Sequence, residues 1–149
     1  KRSGTENTFG IMRFRFAAEN KFSALTEDLS RVLGYRETLW SGLDKAVFTR
    51  ISPADGSPYI LTVSAAGLRG ETLLHLLDDR GLVVGTGSAC SSNAKKRYSR
   101  VILACGRSET EADGVLRLSF SPETTQEEIT AATDILNGCA AELKKRMNI

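Results

Sequence analysis

Two stretches of the chain, one near each end, repeat apolar residues with the period of an α-helix. In the first stretch, apolar residues recur at steps of three and four positions, which places them on one face of a helix. These residues are Phe14, Ala18, Phe22, Leu25, Leu29 and Val32. We expect Gly34 to end or bend this helix, and a further helical stretch to run through Trp40 and to stop at Gly42.

The final stretch begins with a helix-capping pair, Thr125 and Glu128. The side chain of each residue can accept a hydrogen bond from the backbone N–H of the other, which is the capping-box arrangement. The apolar positions that follow also recur at steps of three and four, and they are Ile129, Ala132, Leu136, Cys139, Leu143 and Met147. This pattern predicts a long amphipathic helix at the end of the chain.

Between these helices the pattern predicts short strands and short helices. The turn-forming segment SPADGSP separates two predicted strands, residues 46–51 and 59–63. Residues 71–80 contain two pairs of leucines spaced as in an amphipathic helix. We also predict a brief apolar strand over residues 82–85 and a short helix over residues 100–105. Ser108 and Glu111 can form a second capping box.

Residues 115–120 alternate as a half-buried strand does. Leu116, Leu118 and Phe120 share one face, and Val115, Arg117 and Ser119 share the other. Together these elements predict an α+β fold, in which a short, mostly antiparallel sheet is covered by helices. The 149 residues suit one domain of ordinary size.

Composition narrows the function classes. Hydrophobic residues make up 41% and charged residues 26%, as expected for a soluble globular chain, and a net charge of +2 argues against a broad nucleic-acid surface. No apolar run is long enough to span a membrane. The three cysteines lack the CxxC spacing of zinc or redox centres, so we expect no metal and reduced thiols in a cytoplasmic setting.

The segment GTGSACSSNAKKRYSR carries the main chemical candidate, Cys90. Its neighbours are small and hydroxylated, and Lys95, Lys96, Arg97 and Arg100 follow within ten residues. Nearby positive charge lowers the pKa of a thiol and favours the thiolate, which indicates a reactive Cys90. The alternative is an inert thiol in a loop.

Four other side chains are weaker candidates. Arg117 either binds a carboxylate through two parallel hydrogen bonds or is an ordinary surface arginine. Cys105 and Cys139 occupy apolar helical positions and are expected to pack in the core. His75 lies between leucines without an obvious partner in the sequence, so we expect a structural or solvated histidine.

Three segments together resemble the cysteine desulfurases, the NifS/IscS branch of the pyridoxal-phosphate-dependent class V aminotransferases. They are RSGTEN at residues 2–7, GETLLHLLDDRGLVVGTGSACSS at residues 70–92 and GVLRLSFSPETTQEEI at residues 114–129. The resemblance covers nearly the whole chain in the family's order. It implies that residues 1–149 form the small C-terminal domain of a longer enzyme. The chain also opens without an initiator Met, which suggests that it is a piece of something longer.

The resemblance also implies site roles. Cys90 corresponds to the nucleophile that attacks the sulfur of L-cysteine, which yields L-alanine and a persulfide for transfer to an acceptor protein such as an iron–sulfur scaffold or a tRNA-thiolation protein. Arg117 corresponds to the arginine that binds the substrate's α-carboxylate. The segment Arg2, Ser3, Gly4 and Thr5 corresponds to one near the cofactor and the interface of a homodimer.

The chain departs from the family pattern in two ways. The lysine that holds pyridoxal phosphate precedes RSGT in the family and is not in this chain, so the chain alone is predicted to be inactive. Without the larger domain, the first helix should expose apolar area that this domain covers. Many relatives have SLGR where this chain has Ser119 to Pro122, so the arginine of that motif has no counterpart here.

Two alternative functions remain open. One is a non-catalytic binding or sulfur-relay module, and the other is a selenocysteine lyase or an aminotransferase of small amino acids.

Overall fold

The computed structural model describes residues 4–86 and 98–148 of the chain. Four strands and five helices lie in these two ranges, and they follow in the order α1 (Thr8–Gly42), β1 (Phe48–Arg50), β2 (Ile60–Ala65), α2 (Gly70–Asp78), β3 (Gly85–Thr86), α3 (Arg100–Ala104), α4 (Glu109–Asp113), β4 (Val115–Ser119) and α5 (Gln126–Met147). The predicted α+β class is confirmed.

The first helix is one element and not two. α1 passes through Gly34 and ends at Gly42, so the prediction that Gly34 ends it is wrong. Gly34 is exposed and nothing lies near the position that a side chain would take. An exposed helical glycine costs only about 1 kcal/mol relative to alanine, and the burial of Val32 and Leu39 on either side outweighs it. None of the helices in the described part of the chain is long and apolar enough to cross a membrane.

The four strands form one antiparallel sheet in the order β1-β2-β4-β3. The strand predicted over residues 82–85 begins only at Gly85. Gly81 has a φ of 80° and the N–H of Leu82 donates to the carbonyl of Leu77, so the chain is still closing the end of α2 at this point.

The main core lies between one face of the sheet and the helices α1, α2 and α5. It contains Leu61 and Val63 from β2, Leu116 and Leu118 from β4, and the predicted face of α5 as far as Leu143. Both predicted capping boxes are present, at Ser108 and at Thr125. Met147 is 48% exposed, contrary to prediction, because it lies beyond the last buried turn of α5.

Within residues 4–86 and 98–148, the other face of the sheet is covered only at one end. There, Ile102 of α3 and Ala112 of α4 bury Val115, which the alternation had placed on the polar face. The remainder of this face carries Arg117 and Ser119, both exposed. No described element thus covers the part of the sheet that carries Arg117 and Ser119.

The first half of α1 packs against no other described element. The first buried residue of the helix is Asp28, and the predicted apolar face before it is exposed, with Phe14 at 77% and Phe22 at 73%. A second apolar face, formed by Phe9, Met12 and Phe16, is also exposed. The expectation of uncovered apolar area on the first helix is confirmed.

Candidate functional site

Arg117 lies at the centre of the uncovered sheet face. It belongs to β4, which pairs with β2 on one side and β3 on the other, and its register partners are Thr62 and Gly85. Because side chains alternate along a strand, Arg117 points away from the core that Leu116 and Leu118 enter. The predicted position of Arg117 opposite the apolar face is confirmed.

The guanidinium of Arg117 lies over Gly85. A Cβ atom built on Gly85 would be 3.4 Å from Nη2 of Arg117 and 3.5 Å from its Nε. Within residues 4–86 and 98–148 no group accepts a hydrogen bond from Arg117, whereas most other arginines there form ion pairs. An exposed guanidinium without an internal acceptor is suited to bind a carboxylate through two parallel hydrogen bonds.

The strand beside Arg117 leads toward the predicted nucleophile. β3 ends at Thr86, four residues before Cys90 in the sequence. Cys90 itself lies outside the described residues, as do the basic residues Lys95, Lys96 and Arg97. Arg117 therefore lies beside the strand that comes shortly before Cys90 in the sequence.

The segment expected near a cofactor lies at the far end of α1. Arg2 and Ser3 are outside the described residues, and Gly4 and Thr5 are exposed just before the helix begins. At 1.5 Å per residue, about 30 Å of helix separates its beginning from Asp28, where α1 meets the core. The described part of the chain thus does not bring Gly4 or Thr5 to Arg117.

The two described cysteines differ in exposure. Cys139 is buried, its Sγ is 3.6 Å from the carbonyl oxygen of Leu76, and burial is the largest cause that raises the pKa of its thiol. Cys105 is exposed, so the prediction of core packing is wrong for it. α3 ends one residue earlier and buries only Ile102, so Cys105 leaves the helix before its side chain reaches the core. His75 is exposed on α2.

Sequence reasoning missed two positions. One is Gly85, whose contact with Arg117 depends on a strand register that the sequence does not contain. The other is Arg36, which is fully buried and donates to the backbone oxygens of Ala54, Gly56 and Ser57. A charged residue between Val32 and Leu39 on the apolar face of a helix was the available signal for Arg36.

Solved structures share this fold and define the class of protein. The chain superposes on a NifS-like protein with a TM-score of 0.77 and 30% identity, covering 95% of this chain and 36% of that one. A cysteine desulfurase CsdA from Escherichia coli matches with a TM-score of 0.69 at 22% identity, over 95% of this chain and 33% of that one. The described fold is therefore that of part of a NifS-like protein.

The sequence agrees with this class. Residues 1–131 match the model of the family described as aminotransferase class-V, and the chain belongs to that family. A cysteine desulfurase from Gluconacetobacter diazotrophicus is 31% identical over 97% of this chain and 37% of its own length. The cysteine desulfurase IscS of Clostridium botulinum is 35% identical over 91% of this chain and 35% of its own length. The chain thus spans little more than a third of the relatives it matches.

The family implies pyridoxal phosphate, and the described lysines do not fit its anchor. Lys21 belongs to the first half of α1, Lys45 to the turn after α1, and Lys144 and Lys145 to the last turn of α5. The amino group of Lys45 already donates to the carbonyl of Leu43 and lies 4.1 Å from the ring of Trp40. No lysine in residues 4–86 or 98–148 therefore belongs to a strand of the sheet that carries Arg117.

Proposed function

We propose that residues 1–149 are the small C-terminal domain of a cysteine desulfurase, which converts L-cysteine to L-alanine and a persulfide. The observation that carries the proposal is the Arg117 guanidinium, which faces outward without an acceptor in the described chain and lies beside the strand that precedes Cys90. The similarity to cysteine desulfurases over nearly the whole chain supports the substrate.

In this proposal each residue has a separate task. Arg117 holds the α-carboxylate of cysteine by two charge-assisted hydrogen bonds, which fixes the orientation of the substrate. The thiolate of Cys90 attacks the substrate sulfur. An S–S bond forms, the C–S bond breaks, and its electron pair stays on carbon, which takes up a proton to give alanine. A thiolate with cations nearby in sequence suits this attack.

The cofactor and the partners belong to the complete protein. A lysine outside the described residues would hold pyridoxal phosphate, so this chain alone does not turn over cysteine. The persulfide would pass to an acceptor protein, such as an iron–sulfur scaffold or a tRNA-thiolation protein, in the cytoplasm. The exposed apolar faces of α1 support a larger domain, or the second subunit of a homodimer, that covers them.

Mass spectrometry of the complete protein after incubation with L-cysteine tests the proposal. We expect a sulfur adduct on the peptide that contains Cys90, and its loss in Cys90→Ser. The matched control is Cys105→Ser, because Cys105 is an exposed thiol that is not assigned to the reaction. Alanine production that survives Cys90→Ser would show that the nucleophile is misassigned, and absence of any turnover would favour the non-catalytic module.

A further inference from the structure

Gly85 is a glycine that its backbone does not require. The described glycines with positive φ are Gly4, Gly67, Gly81 and Gly106, and at those positions a side chain would strain the backbone. Gly85 lies outside that group and in a paired strand, where glycine weakens pairing and residues with side chains are preferred. The conformation of the backbone therefore does not account for this glycine, whose missing side chain leaves space beside β3.

The space is occupied by Arg117. The Cβ position of Gly85 lies 3.4 Å from Nη2, 3.5 Å from Nε and 3.7 Å from Cζ of that residue, so the guanidinium lies along this side of β3. A single methyl group at this position would make ordinary van der Waals contact. A side chain branched at Cβ, such as that of valine, would bring further atoms against the guanidinium and displace it, because Arg117 is exposed and its side chain is flexible. On the other side of Arg117, the register partner is Thr62, which has a branched side chain.

We infer that Gly85 is a positioning residue: by leaving the β3 side of Arg117 open, it directs the guanidinium toward the strand that leads to Cys90. A carboxylate held by Arg117 is then bound over β3 and not over β2. This inference rests on the proposed function for the identity of the ligand, but the placement of the guanidinium can be tested without catalysis.

The placement test uses chemical labelling of arginine by phenylglyoxal, followed residue by residue with peptide mass spectrometry. In Gly85→Asp, a carboxylate would lie against the guanidinium and form an ion pair. Labelling of Arg117 should then slow about two- to fivefold, which is the range of an exposed ion pair. Val83→Asp adds the same charge two residues earlier and should leave the rate unchanged. Arg13, which is exposed and forms no ion pair in the described chain, is the internal reference.

If Arg117 is labelled equally fast in Gly85→Asp and in the wild-type protein, the placement of the guanidinium is wrong and the inference is overturned. Slowing by the same factor in both aspartate variants would also overturn it, because the effect would then be one of general charge. Slowing in Gly85→Asp alone supports the inference.

The ligand test uses the complete protein and compares valine on the two sides of Arg117. Gly85→Val should raise the KM for L-cysteine about tenfold, with a smaller effect on kcat, because the displaced guanidinium loses its hydrogen bonds to the carboxylate. Thr62→Val has nearly the same shape as threonine and should leave KM unchanged. If Arg117→Gln raises KM but Gly85→Val does not, the positioning role is wrong. If Arg117→Gln leaves KM unchanged, the carboxylate role in the proposed function is wrong, whatever the labelling shows.

Discussion

Replacement of the buried arginine of α1 should destabilise the fold more than replacement of any other charged residue in the described chain. Arg36 is fully buried, and its guanidinium donates at 2.6–2.8 Å to three backbone oxygens, those of Ala54, Gly56 and Ser57. These oxygens belong to the loop between β1 and β2, so the arginine supports the loop from inside. Arg36→Met keeps most of the apolar volume and removes all three donors.

The expected loss follows from the hydrogen bonds that disappear. Each contributes about 1 kcal/mol net, because Ala54 and Ser57 are exposed and their carbonyls can turn to water, so the loss of three gives about 3 kcal/mol. The ion pair of Arg36 with Glu37 adds little, because the Glu37 side chain is 43% exposed and also binds Arg50. A loss of this size is a large part of the about 5–15 kcal/mol that stabilises a typical domain.

Urea unfolding followed by the fluorescence of Trp40, the only tryptophan, measures this loss. With a slope of about 1–3 kcal/mol per molar urea, Arg36→Met should lower the midpoint by about 1–3 M. The matched control is Arg15→Met on the same helix, whose ion pair with Glu19 is exposed on both sides and contributes about 0.5 kcal/mol or less. Arg36→Lys should recover part of the loss, because it keeps the charge but not the planar fork. A midpoint for Arg36→Met equal to that of Arg15→Met would refute the reasoning.

Three other features offer measurable outcomes: a carboxyl, the exposed half of α1 and the two described thiols. The hydrogen bond from Arg50 is the largest cause that lowers the pKa of Glu37. The ionised Glu37 carboxylate therefore contributes fully to stability above the ordinary glutamate pKa of about 4.3, and this contribution is lost as the pH falls through the lower pKa of the folded state. Glu37→Gln should thus make the urea midpoint of unfolding less dependent on pH in acid. A slope unchanged by the substitution would contradict this. In sedimentation velocity the 149-residue chain should self-associate as its concentration rises, because apolar faces of α1 are exposed. The variant carrying both Phe14→Ser and Phe22→Ser should self-associate less. A wild-type chain that stays monomeric at high concentration would contradict the role of these faces in association. Iodoacetamide should modify Cys105 in the folded protein and Cys139 only after denaturation, and equal rates by mass spectrometry would disprove the difference in burial.

Local patterns predicted much of the fold correctly. The capping box at Thr125, the apolar face of α5 and the alternation that turns Arg117 away from Leu116 all depend on residues within four positions of each other. Helix propensity alone did not predict the end of α1 correctly. Glycine commonly ends a helix, but α1 continues past Gly34 because residues on both sides of it are buried.

The sequence by itself determined the α+β class, the position of Arg117 opposite the apolar face of its strand and the family, because periodicity, caps and motifs are properties of neighbouring residues. Only the tertiary structure decided that Val115 is buried, that Cys105 is exposed and that the Arg117 guanidinium lies over Gly85. Each of these depends on elements distant in the chain, whose packing and strand register follow from the closure of one shared core.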